Sequence, residues 1–437
     1  MSRLVALLDG REAGVVRQAK GRLSFRYEDS WRDASGAYPL SLSLPLAARE
    51  HGHAAIDAYL WGLLPDNELI LGRWAKRFQV SARNPFALIG KVGEDCAGAA
   101  QFATPDRLDS LKGQGDGDIA WLSEAEIAKR LRALQADAAA WRMPRDTGQF
   151  SLPGAQPKTA LYFDGQRWGV PSGRAPTTHI LKPPTGDLDG HVENEHLCLA
   201  LARALGLPAA SSELRSFEDV TAIVVERYDR VRAPANASRL HRVHQEDFCQ
   251  ALGRLPGAKY QSDGGPGPRE IVELLRAVTF TGEARRKTGG RPAADEDVAT
   301  FVDALIFNWL IGGTDAHAKN YALLIGGGGL VRLAPLYDVA SILGYPDIDT
   351  HKAKLAMKIG GQYRLRRIGL PEWLKLAREL RLDAEETIER IRELAEALPD
   401  KLATETANAK EAGPSHPLIP RLADAMIERA KDCSRRL

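Results

Sequence analysis

At 437 residues the chain has room for roughly two to three domains, and 44% hydrophobic with 27% charged residues permits a packed core and excludes wholesale disorder. A formal net charge of +2, from 59 Lys+Arg against 57 Asp+Glu, excludes a protein that coats nucleic acid by bulk charge, while local basic patches stay open. There is no run of about eighteen apolar residues, the N-terminus meets Asp9 too early for a signal peptide, and Cys96, Cys198, Cys249 and Cys433 show no CxxC pairing. The expectation is a cytoplasmic protein without a membrane association, disulfide framework or structural metal.

Asp9-Gly10 lies between the apolar runs 5–8 and 13–16, a turn pair whose tolerance of positive φ suits a tight hairpin. Residues 23–27 continue the alternation and 54–64 read as helix, so 1–105 is expected to be a strand-rich opening subdomain with some helix. Glycine-rich 113–117 marks a linker. Ser123 with Glu126 three positions later forms a capping box for a helix running to about residue 141. Short strands follow at 159–163, 168–170 and 178–181. Over 192–205, Leu197, Leu201 and Leu205 share one helix face, Gly206 can close the end and Pro208 forbids continuation. Strands at 222–225 and 240–243 complete a second section, 106–245. From residue 246 to 437 the pattern is helical, at 247–252, 271–277, 295–311, 372–380, 384–397 and 422–431, with a Gly/Pro loop at 262–268. The fold class expected is α+β, a strand-rich N-terminal lobe followed by a mostly helical C-terminal lobe.

The strongest chemical signal is Thr314-Asp315-Ala316-His317-Ala318-Lys319-Asn320, after an apolar helix broken by Gly312-Gly313. An Asp followed five positions later by an Asn is the spacing of a protein-kinase catalytic loop, where the Asp orients the attacking hydroxyl and the Asn amide oxygen holds Mg²⁺. Apolar runs 321–325 and 330–333 flank four glycines, 326–329, and read as a hairpin that returns the chain towards Asn320. Asp338, just past Pro335, can then join Asn320 as a second oxygen ligand for Mg²⁺. A turn or cap is the competing role for Asp338.

Lys182 ends a strand and is followed by Pro183-Pro184, so it can serve as the phosphate-clamping lysine, with Glu193 or Glu195 at the next helix start as its partner. The competing reading is a surface lysine with glutamates that complement the helix dipole. The segment 151–161 is small and turn-forming but lacks both the Walker and the kinase glycine-loop patterns. Pro153 and Pro157 offer no N–H, so any phosphate cradle there must use Gly154, Ala155, Gln156 and Lys158. His317 has no second His or Cys at ligand spacing and reads as a structural or nucleotide-contacting imidazole. Lys352, Lys354, Lys358, Arg364, Arg366 and Arg367 form a tract without an acid, either a solvated face or a phosphate-backbone contact.

Together these residues resemble the HipA family of bacterial serine/threonine kinases, the toxins of type II toxin–antitoxin pairs. Across nearly the whole chain the opening hairpin and Leu64-Pro65-Asp66-Asn67 are similar to that family. The more specific matches, in the same order, are 151–161, His179-Ile180-Leu181-Lys182, Glu193-Asn194-Glu195, Gln245-Glu246-Asp247-Phe248, Lys259-Tyr260 with 262–267, 314–320 and Tyr337-Asp338-Val339. The pattern Asp315-x-His317-x-x-Asn320 also resembles the catalytic loop of phosphoinositide-3-kinase-like enzymes, whose fold HipA kinases share.

The resemblance implies ATP and Mg²⁺ as cofactors, Asp315 as catalytic base, and Asn320 and Asp338 as metal ligands. Lys182 would contact the ATP phosphates and Gly154, Ala155, Gln156, Pro157 and Lys158 would cover them, although some members carry an acid where Pro157 stands. Glu246, Asp247 and Phe248 would form the adenine hinge, and His317, Lys319 and Tyr337 would lie beside the nucleotide. Ser151 would be the autophosphorylated serine, whose modification withdraws the phosphate loop. The partners implied are a small helix-turn-helix, HipB-like antitoxin, operator DNA reached mainly through it, and a protein substrate such as an aminoacyl-tRNA synthetase. A small-molecule phosphotransferase and a catalytically silent co-repressor are the alternatives. The segment 281–294 does not align and reads as an insertion.

Overall fold

The computed structural model describes residues 2–437 except 113–116, 144–145, 147–148, 187, 234–235, 280–292 and 413–415. The linker at 113–117 and the insertion at 281–294 therefore fall largely outside the described residues. The chain divides into two compact units that interleave in sequence: Met1–Pro183 with Arg215–Ala258 and Leu323–Val331, and Pro184–Leu214 with Lys259–Ala322 and Arg332–Leu437.

The first unit opens with an antiparallel sheet in the order Glu50–His51, Arg22–Tyr27, Arg11–Ala19, Ser2–Leu8, Ala100–Ala103. Its first hairpin turns at Asp9 and Gly10, both at positive φ, as the Asp-Gly pair requires. This section is richer in helix than expected, because His53–Gly62, Glu68–Phe78 and Pro85–Val92 all bury one face on the sheet core. Asn67 and Asn84 supply the caps of the latter two, accepting from Leu69 and Ile70 and from Ala87.

A second sheet runs Ser212–Phe217, Val220–Glu226, His179–Lys182, Thr159–Phe163, Trp168–Ser172, Asp118–Leu122. The helix Glu124–Ala136 lays Ile127, Ala128 and Leu131 against Leu161, Trp168, Leu181 and Val224. Its Ser123/Glu126 capping box is present, but it ends short of residue 141. Asp137 turns extended there, and Trp141 packs tilted against Trp74 at 4.8 Å and edge-on to Phe150 at 4.5 Å. A third, small sheet pairs His244–Asp247 with the hairpin Ala322–Gly326 and Leu330–Leu333. The strand His244–Asp247 is not expected from the sequence pattern, because polar His, Gln and Glu mask its alternation; the helix that follows is the single turn Phe248–Ala251, capped by Asp247.

The second unit is mainly helical: His191–Ala204, Pro268–Thr279, Ala293–Ile311, Leu370–Leu380, Ala384–Ala412 and Leu418–Arg435. Ala384–Ala412 continues past the expected end at residue 397 and carries Pro399 inside it. Ala293–Ile311 is buried along its whole C-terminal half, where Trp309 meets Trp373 edge-on at 5.5 Å. That burial makes it the rigid stem on which the 314–320 loop is mounted. All four cysteines are buried and free. Among the described residues no helix is long and apolar enough to cross a membrane.

Candidate active site

In the first unit, the 151–158 loop is seated by backbone contacts. Ser151 N–H donates to the Asp95 carbonyl at 3.0 Å, and Asp66 N–H donates to the Gly154 carbonyl at 3.2 Å. The Ser151 hydroxyl is fully buried and donates to the Leu63 carbonyl at 2.6 Å. Gly154 has φ +107°, a conformation that a side chain strongly disfavours. Ala155 is exposed, while Gln156, Pro157 and Lys158 are half-buried. The Lys158 ammonium donates to the Pro153 carbonyl at 2.7 Å, drawn back over its own loop.

Lys182 closes the strand His179–Lys182, paired opposite Ile223, with 4% of its surface exposed. Its burial on a central strand sets aside the reading of a surface lysine. Glu246 sits on His244–Asp247 with its side chain turned inward, where Oε1 accepts from Leu42 N–H at 2.7 Å. Burial pushes its carboxyl up to about 8; the Leu42 N–H and the Ser41 hydroxyl pull the other way, and neighbouring Asp247 adds to the rise. Phe248 is fully buried and Asp247 is occupied as a helix cap, so a nucleotide base could be read here only by backbone groups.

A buried charge network was not legible in the sequence. Asp95 receives Arg230 Nη2 at 2.8 Å, Arg242 Nε at 3.2 Å, and the N–H and hydroxyl of Thr177 at 2.9 and 2.7 Å. Arg227 pairs with Asp229 at 2.8 Å and reaches the Cys96 carbonyl at 2.8 Å. Burial alone would raise Asp95, but the guanidiniums of Arg230, Arg242 and Arg227 hold its carboxyl well below the usual range. The same residue thus anchors three arginines by its side chain and the Ser151 segment by its carbonyl. Its members span residues 95 to 242, so no local spacing announces them; the nearest signal is the charged run Arg227-Tyr228-Asp229-Arg230 closing an apolar strand.

In the second unit, Gly312 and Gly313 release the catalytic-type loop from its stem. A Cβ on Gly313 would fall 2.2 Å from Asn308 Oδ1, so a larger residue there would displace the buried Asn308 side chain. Asp315 stands exposed at the loop tip. The Asn320 amide donates to the Asp315 carbonyl at 2.8 Å, which engages its nitrogen and leaves the acceptor role to its oxygen. Asn320 N–H donates to the His317 carbonyl at 2.9 Å, closing the loop on itself. His317 and Lys319 are buried. The Tyr337 hydroxyl donates to the Lys319 carbonyl at 2.7 Å, tying the segment of Asp338 to that of Asn320 as the four-glycine hairpin suggested. Asp338 has φ +52°, an unusual conformation for a non-glycine residue and a form of strain that clusters at functional sites. An amide oxygen and a carboxylate are both hard-oxygen donors, the type that suits Mg²⁺.

Glu193 and Glu195 lie on His191–Ala204, Glu195 buried, with Asn194 between them bonded both ways to the Ser341 backbone at 2.7 and 3.0 Å. The basic tract forms the hairpin Lys354–Ile359 and Gln362–Arg364 and the turn after it, exposing Lys352, Lys354, Arg364, Arg366 and Arg367.

Comparison with known proteins gives the family and the fold. Residues 4–103 match the HipA N-terminal domain and residues 150–402 the HipA-like C-terminal domain. Y4mE of Sinorhizobium fredii, named as a candidate kinase, is 36% identical over 97% of this chain and 96% of its own length. The serine/threonine-protein kinase toxin HipA of Shewanella oneidensis is 30% identical over 77% of this chain and 73% of its own. The HipA, HipB and operator DNA complex from Shewanella oneidensis MR-1 contains a chain that superposes with a TM-score of 0.78 at 25% identity, covering 98% of this chain and 97% of that one. The mixed α+β architecture is kinase-like, and the protein is a kinase. The chain belongs to the HipA family of kinase toxins.

Proposed function

We propose that the protein is a toxin kinase that transfers the γ-phosphoryl group of ATP to a serine or threonine hydroxyl of a protein, such as an aminoacyl-tRNA synthetase. What supports this most is the 314–320 loop, where an exposed Asp315 carboxylate and an oriented Asn320 amide oxygen share one backbone frame. Asp315 accepts the hydrogen bond of the acceptor hydroxyl and aligns its oxygen with the γ-phosphorus. The new P–O bond forms as the bond to the β,γ-bridging oxygen breaks, ADP leaves, and the hydroxyl proton passes to Asp315 and on to solvent. Lys182 contacts the phosphates, and the N–H groups of Gly154, Ala155, Gln156 and Lys158 donate hydrogen bonds to their oxygens. Asn320 Oδ1 and the Asp338 carboxylate would hold Mg²⁺, which supplies charge neutralisation on the phosphate oxygens. Glu246, Asp247 and Phe248 read the base through the main chain, and His317, Lys319 and Tyr337 border the nucleotide.

Ser151 is the autophosphorylation site in this reading. Its hydroxyl is shut away on the Leu63 carbonyl, so modification requires the 151–158 loop to leave its seat, and a phosphate of about −2 charge cannot return to that apolar, acceptor-faced position. Loop and phosphate binding are thereby lost together, which switches the kinase off. A HipB-like, DNA-binding antitoxin is the partner, as in the Shewanella complex, and the exposed tract Lys352 to Arg367 approaches operator DNA within that assembly. The testing experiment is incubation with Mg-ATP and a panel of purified aminoacyl-tRNA synthetases, followed by phosphosite mapping. Phosphoserine or phosphothreonine on one synthetase, absent with Asp315→Asn, is expected. Labelling of a metabolite instead, with no protein acceptor, would overturn it.

A further inference from the structure

The family-like segment Lys259-Tyr260 with 262–267 has no part in the chemistry described so far, yet it is the neighbour of the catalytic loop in the second unit. Three of its contacts fall on three successive parts of that loop. The Lys259 carbonyl accepts from Ala318 N–H at 3.2 Å. The Tyr260 ring meets the His317 ring edge-on, with centroids 4.9 Å apart at 85°. The Tyr260 hydroxyl donates to Asp315 Oδ1, and among the described residues it is the one side chain bonded to that carboxylate.

The segment is itself stiff. The Tyr260 carbonyl accepts from Asp263 N–H at 3.0 Å and Gly265 N–H at 2.9 Å, closing a tight turn around Gln261–Asp263. Gln261 Oε1 then accepts from Lys358 N–H at 2.7 Å, pinning the turn to the strand Lys354–Ile359.

An exposed aspartate without a side-chain partner samples several rotamers, and only some aim an oxygen at an acceptor hydroxyl. A tyrosine, with two side-chain torsions and a ring held against His317, is an inexpensive way to select one of them. Because the hydroxyl occupies Oδ1 alone, Oδ2 stays available for the acceptor.

We propose that Tyr260 is a positioning residue for phosphoryl transfer, holding the Asp315 carboxylate and the His317 ring in the reactive arrangement from a turn anchored outside the loop. This rests on Asp315 acting as the base. A group that orients the base without touching ATP sets the rate at saturation and leaves nucleotide affinity alone. Loss of orientation by about an ångström can cost on the order of a hundredfold in rate.

The test uses the full chain, with phosphate incorporation followed by intact mass at varied Mg-ATP for wild type, Tyr260→Phe, Tyr260→Leu and, as the inactive control, Asp315→Asn. Thermal unfolding of each variant controls for folding. With Tyr260→Phe, which keeps the ring, the rate at saturating ATP should fall at least tenfold while the half-saturating ATP concentration stays within twofold. A wild-type rate in Tyr260→Phe with a loss only in Tyr260→Leu would reduce the residue to packing and overturn the inference. A faster Tyr260→Phe would overturn it too, since the hydroxyl would then be blocking the acceptor. Absence of phosphate transfer in wild type would instead sink the kinase reading, a result distinguishable from either.

Discussion

Glu246→Gln isolates one buried carboxyl and gives a stability change with a definite sign. The native side chain is 1% exposed, accepts from Leu42 N–H, and is raised by burial to about 8 from an ordinary value of 4.5. Below pH 4.5 the carboxyl is protonated in both folded and unfolded chains, and the stabilising preference for the neutral form is fully present. As pH climbs from there towards 8, the unfolded chain releases a proton that the folded one retains, so stability falls through that interval and levels off above it. Each pH unit is worth about 1.4 kcal/mol, which makes the full swing at most on the order of 5 kcal/mol. Glutamine keeps an oxygen for Leu42 N–H and cannot ionise. Urea unfolding of both proteins at pH 5, 6, 7 and 8, followed by intrinsic fluorescence, should show the wild type losing ground to the variant at each step, with the variant the more stable at pH 8. Parallel pH profiles would refute the assignment of a neutral, inward-facing Glu246.

Other residues carry equally direct outcomes. Asp95→Ala strands the guanidiniums of Arg227, Arg230 and Arg242 in the interior and should cost about 3–5 kcal/mol in denaturant unfolding. Wild-type stability from Asp95 is present above the ordinary carboxylate range and is lost as pH falls through its depressed value, so the wild type should lose this advantage over the variant in acid. Gly154→Val forces a β-branched residue to φ +107° at about 1–3 kcal/mol, and should both lower Tm and raise the ATP Kd by calorimetry. Reversing Arg364, Arg366 and Arg367 should flatten the salt dependence of operator binding by the antitoxin complex, by about 0.9 in log–log slope for each DNA phosphate the tract no longer neutralises; an unchanged slope removes the tract from the DNA interface.

Much of the fold was legible where one local rule acted alone. Asp9-Gly10 set a hairpin, Ser123 and Glu126 opened a helix, and Gly326–Gly329 turned a second hairpin, because each depends on residues a few positions apart. Tertiary demands overrode the local pattern elsewhere. Trp141 lies outside the helix and packs against Trp74 and Phe150, and His244–Asp247 became a strand although its side chains gave no apolar alternation. The two compact units interleave along the chain, an organisation that reading in one direction cannot supply. At the candidate site, residues 315 to 320 were legible as a spacing, and Asp338 followed from the hairpin. The Tyr260–Asp315 bond and the bonds of Asp95 to Thr177, Arg227, Arg230 and Arg242 were not, since they join residues 55 or more positions apart and no local spacing pairs them.

Intact mass of the purified protein with and without Mg-ATP, for wild type, Ser151→Ala and Asp315→Asn, tests the central claim most directly. One phosphate on wild type that is missing from both variants is the expected result. A folded wild type that binds ATP and neither gains phosphate nor transfers it to any protein would contradict it.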